Sequence, residues 1–476
     1  MLQLSGLQKA AYYTRRMNWL KSLVSRKRPS PAEARPVEAR RIPRSEHPIS
    51  RSQFPQGTLR TLYGLKDAGY EAYVVGGGVR DLLAGEAPKD FDIATNAHPD
   101  EIRKIFRSCR LVGRRFMIAH VRWGQEVVEV TTFRGVITDE HERDDTGRIL
   151  ADNEYGTLET DAFRRDFTVN ALYYDIRDYS IVDHVGGLED MQRRVIRLIG
   201  DPETRYREDP VRMLRAVRIA NKLRFAIDKK TAAPIASLAG LLREIPPARL
   251  FDEVIKLLQS RDAVANLDSL HTHGMLKHLL PMTDASLGNE RDAAFMHQAL
   301  ANTAERIAGD QSVSPAFLYA ALLWPGVAKE YARLTEREGA HANVAIVQAS
   351  EKVLAQAMHH VMIPKRFSLP MREIWVLQPR FEARQGGRAK RLLTHPRFRA
   401  AYDFLLLRAS VGEVPQELAD WWTRAQTAEH LPPVREQEGE EREEGTAEAP
   451  RKKRRRRRGG RSRRGAGDAG SQPVGE

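Results

Sequence analysis

Between about residues 56 and 200 the chain switches repeatedly between two hydrophobic periods. The runs EAYVVG, FDIAT, AHVRW, VVEVTTF and LYYDI are short and rich in β-branched and aromatic residues, so they predict strands. VRDLL, DEIRKIFRS and TDAFRRDFTVNAL place apolar residues three and four apart and predict helices. The expected class is α+β: a head built on a mixed sheet with helices. After residue 200 the spacing becomes almost wholly helical, in DPVRMLRAVRIANKL, ARLFDEVIKLLQS and PAFLYAALLWPGV, so an all-helical body should follow. No fixed-period repeat stands out, which argues against a solenoid. Both ends lose the pattern. Residues 1–55 are rich in Arg, Pro, Ser and Glu and predict a disordered basic arm; beyond about Pro432 an acidic run, EQEGEEREE, passes into RKKRRRRRGGRSRRGAG, which cannot bury enough apolar surface to fold. The expected division is an arm of 1–55, a head of 56–200, a helical neck of 201–260, a helical body of 261–432 and a disordered Arg-rich tail of 433–476.

Charge adds a partner to this picture. The 476 residues carry a formal net charge of +14, which points to a polyanion, either nucleic acid or an acidic membrane surface. The eight consecutive basic residues Arg451–Arg458 suit RNA or DNA phosphates without sequence preference. One cysteine, Cys109, excludes an intramolecular disulfide framework and a cysteine-rich zinc site, and fits a reducing compartment. No run approaches the roughly 18–20 apolar residues of a membrane span, and the N-terminus lacks the apolar core of a secretory signal, so a cytoplasmic protein is expected. The basic, amphipathic stretch YYTRRMNWLKSLVSRKR at 12–28 offers weak membrane contact as a further partner.

The densest chemistry lies in VVGGGVRDLLAGEAPKDFDIATN, residues 74–96. Tyr73 to Val75 predict a buried strand that runs into Gly76, Gly77 and Gly78, with a helix from Val79 to Leu83. Glycine lets backbone N–H groups approach a phosphate without a Cβ in the way. In KDFDIAT alternation puts Asp90 and Asp92 on one face and Phe91 and Ile93 on the other. Two carboxylates on one face suit Mg²⁺, which takes one or two carboxylates together with substrate phosphates. Either an Asp-x-Asp or a glycine cluster alone is a weak sign, but strand, glycine turn, helix and strand in this order are specific to phosphoryl transfer.

Downstream, DAFRRDFTVN at 161–170 predicts a helix on which Asp161 can pair with Arg165 and Asp166 with Asn170. Arg164 and Arg165 can clamp a triphosphate, and Asp166 either joins the metal site or holds a ribose. In EDPVRMLRAVR, Asp209 stands at an N-cap position and Pro210 at a first helical position. Arg212, Arg215 and Arg218, three apart, share one flank and suit planar recognition of a phosphate or base edge.

GGGVRD with KDFDIAT, then RRDFTVN, then EDPVRMLRAVR, in this order, resembles the class II nucleotidyltransferases, which comprise bacterial poly(A) polymerases and tRNA CCA-adding enzymes. The resemblance covers about residues 50–430. LVGRRFMIAHV at 111–121, PPARLFDEVIKLLQ, IPKRF at 363–367, HPRFRAAYDFLLLRA at 395–409 and the Arg-rich end are similar to the poly(A) polymerase branch. The resemblance implies a catalytic head, a nucleotide-recognition neck and an RNA-binding body. It implies that AMP from ATP is added to RNA 3′ ends without a template, releasing pyrophosphate and promoting RNA processing and decay, with the decay machinery as a further partner. It implies Mg²⁺, as two ions, with Mn²⁺ as a substitute. Asp90 and Asp92 would bind metal and Asp166 would be the third active-site acid; Gly77, Gly78 and Arg80 would contact the triphosphate. Asp161 and Arg164 would lie near the sugar and phosphates, and Asp209 and Arg212 would read the base edge. Glu129, in VVEVTTF, lies on a strand that can flank the Asp90 strand and competes with Asp166. Two rival functions remain, a tRNA CCA-adding enzyme and a non-catalytic RNA-binding protein on the same scaffold.

Overall fold

The computed structural model describes residues 39–113, 117–135 and 154–427. Its head is one eight-stranded sheet made of β1 (Arg40–Ile42), β2 (Ala72–Val75), β3 (Asp92–Thr95), β4 (Cys109–Val112), β5 (Ile118–Trp123), β6 (Glu126–Thr132), β7 (Leu172–Asp175) and β8 (Ile181–Asp183), in the order β1-β8-β7-β2-β3-β6-β5-β4. The β3–β6 pair is parallel and the other pairs are antiparallel. Helices α1 (Gln56–Asp67), α2 (Gly77–Ala84), α3 (Pro99–Ile105), α4 (Leu158–Arg164) and α5 (Gly187–Arg193) flank it.

The central strands are apolar on both faces because both are covered. Ala72, Val74, Ile93, Val130, Leu172 and Tyr174 face the larger core, whereas Tyr73, Val75, Ala94 and Tyr173 face a smaller one that includes Ala162 of α4. Side chains alternate along a strand, so neighbours such as Tyr173 and Tyr174 serve opposite faces. That alternation decides which of them reach the site.

Two expectations are corrected. The arm does not run unstructured to residue 55: Arg40–Ile42 add an edge strand to β8, and Ile42, Ile49 and Phe54 are buried in the head core. Three anchors spaced seven and five residues apart follow neither a helical nor a strand period, which hid them in the sequence. The helix expected over 161–170 also stops early, at Arg164; Arg165 and Phe167 are extended and a 3₁₀ turn spans Thr168–Asn170. Phe167 is fully buried, and Asp166 Oδ1 accepts from the Phe167 N–H at 2.8 Å, a local bond that displaces the helical one.

Beyond the sheet the chain is helical: α6 (Pro202–Glu208), α7 (Val211–Leu223) and α8 (Pro247–Leu258) connect the head to longer helices that include Glu290–Ala308, Pro315–Ala332, Ala342–Met358, Lys365–Leu377 and Phe398–Ser410. Helix α7 forms because Val211, Leu214, Val217 and Ala220 repeat at three-residue spacing with Met213, Ala216 and Ile219 beside them, all buried. It ends where Arg224 takes a left-handed conformation, with φ 55°. Among the described residues no helix is long and apolar enough to cross a membrane. Residues 12–28 and the Arg451–Arg458 run lie outside the described residues.

Candidate active site

The site begins at the turn after β2. Gly76 adopts φ 77°, ψ −137°, a conformation other residues rarely take, and turns the chain abruptly into α2. Gly78 is needed for closeness: a Cβ there would stand 2.8 Å from Phe91 Cδ1 and 3.3 Å from the Asp90 carbonyl. Phe91 packs beneath Gly78 into the core, leaving Asp90 exposed on the rim and Asp92 at the first position of β3. A Cβ on Gly76 would lie 3.7 Å from Asp92 Oδ2 and 3.5 Å from Arg165 Nη1. The bare glycine backbone, the Asp92 carboxylate and the Arg165 guanidinium therefore border one small space.

Glu129 stands directly across from Asp92 in the parallel β3–β6 register. Burial pushes the Asp92 carboxyl up to about 6, and Glu129 and then Asp90 add to the rise against the pull of Arg165 and Arg215. A carboxylate so pressed by its own kind calls for a cation. Among the described residues no group of three or more His, Cys, Asp or Glu side chains is placed to hold a metal ion, which leaves a pair of carboxylates at the rim. An open carboxylate edge is what a Mg²⁺ that retains water and substrate phosphates would use, so the donor set fits that ion.

Asp166 is held differently. Its Oδ2 accepts from Arg215 Nε at 2.7 Å, and its Oδ1 accepts from Asn170 Nδ2 at 2.9 Å as well as from the Phe167 N–H. Burial works against ionisation, yet Arg215 and these hydrogen bonds hold the carboxyl well below the usual range. Asp166 thus joins the RRDF segment to α7, and Glu129 is the acid that faces Asp92.

Arg80 is also committed. Its Nε and Nη2 donate to Asp81 Oδ1 at 2.9 and 2.7 Å and its Nη1 to Asn170 Oδ1 at 2.6 Å; Lys222 Nζ of α7 closes the cluster on Asp81 Oδ2 at 2.6 Å. It is 7% exposed, so its charge supports the glycine turn from behind.

A second group is rich in guanidinium. Asp161, buried, accepts from Arg165 Nε and Nη2 at 3.1 and 3.0 Å and from Tyr173 Oη at 2.7 Å, so the expected Asp161–Arg165 and Asp166–Asn170 pairs both form although the helix between them does not. Arg164 Nη1 donates to the Gly135 carbonyl at 2.9 Å. Burial and the like charges of Arg134, Arg205 and Arg212 bring Arg164 down to about 10. Arg205 Nη2 donates to the Arg164 and Arg165 carbonyls at 2.7 and 2.8 Å. Glu208 Oε2 accepts from both Arg205 and Arg212, at 2.7 and 2.8 Å.

Asp209 and Arg212 are not paired with each other: Asp209 Oδ2 takes Arg249 Nη2 of α8 at 2.8 Å while its Oδ1 takes the Val211 N–H at 3.3 Å; the N-cap of α7 falls on Pro210, one residue later than expected, and Asp209 closes α6. Arg218 is half-buried near Arg215, and its Nε, a buried atom, has no hydrogen-bond partner. Sequence reasoning placed Gly76 in the turn but passed over Arg205 and Glu208. The spacing of 205, 208 and 212, three and then four, was the signal for the last two.

Family models match three stretches: "Poly A polymerase head domain" at residues 72–197, "Probable RNA and SrmB- binding site of polymerase A" at 224–287 and "Polymerase A arginine-rich C-terminus" at 338–460. A poly(A) polymerase I of Salmonella typhi is 46% identical over 455 residues, 92% of this chain and 96% of that protein. A CCA-adding enzyme of Levilactobacillus brevis is 37% identical over 254 residues, 53% of this chain and 62% of that protein. Among solved structures, the Thermotoga maritima CCA-adding enzyme complexed with tRNA shares the fold at TM-score 0.54 and 18% identity, over 81% of this chain and 85% of that one.

Proposed function

The chain belongs to the poly(A) polymerase I family, and from that premise we propose that Asp90 and Asp92 form its metal-binding edge, with Glu129 beside Asp92 as the supporting acid. It is a polynucleotide adenylyltransferase that adds AMP from ATP to RNA 3′ ends without a template and releases pyrophosphate. A divalent metal, in our proposal two Mg²⁺ ions replaceable by Mn²⁺, supplies neutralisation of the transferring phosphoryl and a lower cost for deprotonating the 3′-hydroxyl.

The chain's own groups do the rest. The N–H groups of Gly77 and Gly78 approach the triphosphate, held there by the fold behind Arg80. Arg165, fixed by Asp161 and Tyr173, directs its remaining N–H groups to the phosphates. Arg164, with Arg205 and Arg212 around it, receives the remaining negative charge, and Asp209 and Arg212 lie where a base edge would be read. Arg215 keeps α7 against the head through Asp166, and Arg218, beside it on α7, adds positive charge on the nucleotide-binding flank. No protein nucleophile is needed; orientation of the hydroxyl against the α-phosphate carries much of the rate.

The head, from the strap formed by residues 40–54 to about 200, would perform the chemistry, the neck of 201–260 would select the nucleotide, and the body of 261–432 with the basic tail would hold RNA. We further propose a cytoplasmic location, the RNA-decay machinery as a partner, and weak membrane contact by the N-terminal arm. The observation that carries the site assignment is Asp92 opposite Glu129 beside the Gly76 turn. The test offers a short unstructured RNA, Mg²⁺ and each nucleotide separately. Long A tails are expected; CTP incorporated before ATP on tRNA lacking its terminus would favour the CCA-adding reaction, and no extension would favour a non-catalytic binder.

A further inference from the structure

A cleft of about 420 Å³ opens on the head between the ordered strap and the β7–β8 turn. Arg44, Ser50, Arg51, Gln56, Tyr174 and Tyr179 contribute to its walls. It is not the active site. Tyr173 sends its hydroxyl to Asp161 on the catalytic face, and Tyr174, next along β7, points to the opposite face.

The cleft is built of donors. Arg51 is oriented by its Nη1 bonds to Tyr63 Oη and Tyr179 Oη at 3.0 and 3.3 Å, and Arg44 by its Nη1 bond to the His47 carbonyl at 3.0 Å. Neither arginine has a carboxylate partner among the described residues, unlike Arg80, Arg165, Arg205, Arg212 and Arg215 of the catalytic region. At the floor lies Tyr174, fully buried, whose hydroxyl has no hydrogen-bond partner. Burial pushes that hydroxyl up to about 12 against the pull of Arg44 and Arg51, so it remains an O–H donor. A buried donor without an acceptor demands an explanation, and two guanidiniums without carboxylates beside it supply one: the missing group is an anionic oxygen.

We propose that this cleft is a second nucleotide-phosphate site, separate from the catalytic one, in which Arg44, Arg51 and the Tyr174 hydroxyl bind a phosphoryl group. Guanidinium forks match phosphate oxygens in geometry, and the volume is within the usual range for small-ligand pockets, about 300–1,000 Å³. Two sources can supply the phosphoryl group, a free mononucleotide and the backbone of bound RNA.

Three forms of the full chain test this: wild type, Arg44→Ala/Arg51→Ala, and Tyr174→Phe. Equilibrium dialysis with labelled AMP should find two sites per wild-type chain and one in the double variant if a free nucleotide is bound. If RNA backbone is bound, the double variant should neutralise about one phosphate fewer on oligo(A), a change of roughly 0.7 in the slope of log affinity against log salt. In either case addition of the first AMP at saturating ATP and primer stays unchanged. Tyr174→Phe should raise the melting temperature of the unliganded protein by removing an unpaired hydroxyl, yet weaken the same binding about ten-fold or more. Equal AMP stoichiometry together with an equal salt slope in wild type and double variant overturns the proposal, as does a Tyr174→Phe variant that binds both probes like wild type.

Discussion

The rim of β3 and the RRDF–α6 region carry opposite faults. At the first, Asp92 is pushed up to about 6 by burial and by Glu129 and Asp90; at the second, Arg164 is brought down to about 10 by burial and by Arg134, Arg205 and Arg212. One crowds acids together and the other crowds bases. A folded protein tolerates such like-charge crowding only where the rest of the fold over-determines the geometry, and the Arg215–Asp166 and Lys222–Asp81 bonds from α7 do that here. A metal-bound nucleoside triphosphate brings the opposite sign to each region at once. The difference between the two regions therefore says how the substrate is recognised before any base is read: fixed charges await it and need no rearrangement when it reacts.

Breaking the acidic half should have the largest effect. Asp92→Asn is expected to reduce AMP addition by at least about 10²–10³-fold, the scale for losing one preorganised charge-stabilising group. The same change should stabilise the metal-free fold. Because burial and Glu129 raise the folded Asp92 from 3.8 to about 6, the folded state binds more protons than the unfolded one between those values. This group's contribution is therefore highest below pH 3.8, falls as pH rises to about 6 and is flat above. At pH 7.5 in EDTA, Asp92→Asn should gain roughly 2 kcal/mol, discounted from the full shift because the side chain retains some solvent, and most of that gain should vanish at low pH. A denaturation series showing a less stable variant at pH 7.5 would contradict the crowding argument.

The two competing acids separate the regions further. Glu129→Gln should slow addition about 10–100-fold, as loss of a group supporting a metal ligand does, with the fold unharmed. Asp166→Asn removes one partner of a half-buried pair, and should cost about 1 kcal/mol in stability once the solvent around Arg215 is allowed for. Urea midpoints and kcat measured on both proteins decide it: a stable, slow Asp166→Asn beside a fast Glu129→Gln would return the third-acid role to Asp166.

Selectivity is the next smaller effect. Arg212→Ala leaves Glu208 its bond to Arg205, so the fold should hold, while ATP preference over other nucleotides should fall about ten-fold, the value of one good base contact. Unchanged nucleotide ratios in kcat/KM would remove Arg212 from base reading and leave it as a bracket between α6 and α7.

How far the chain could be read in advance differed between these regions for a physical reason. The rim was legible because alternation places Asp90 and Asp92 on one face and glycines mark the turn; what alternation does not encode is strand order, so Glu129 became distinct from Asp166 only once β6 was seen beside β3. The helical parts were visible in their period. The Arg cluster was half legible: the 161–165 and 166–170 pairs follow helical spacing, but Phe167 takes the core and breaks the helix, and no local pattern says that Arg205 will bond the Arg164 and Arg165 carbonyls forty residues away. The strap around Ile42, Ile49 and Phe54 was hidden because its anchors have no period.

The smallest effect should come from outside both regions. Deleting residues 436–476 removes the clustered arginines of the tail and none of the groups that crowd Asp92 or Arg164, so addition of the first nucleotides should continue at nearly the full rate. Tails should shorten, since each later cycle depends on retaining the lengthening RNA. The tail's contribution is electrostatic and sequence-independent, so the truncated chain should show a shallower fall of RNA affinity with salt, by about 0.7 in log–log slope for each phosphate no longer neutralised. Equal slopes in the two proteins would leave RNA retention to the folded body alone. Loss of even single-nucleotide addition would mean that the tail reaches the active site, and the division of labour between crowded head and basic end would have to be redrawn.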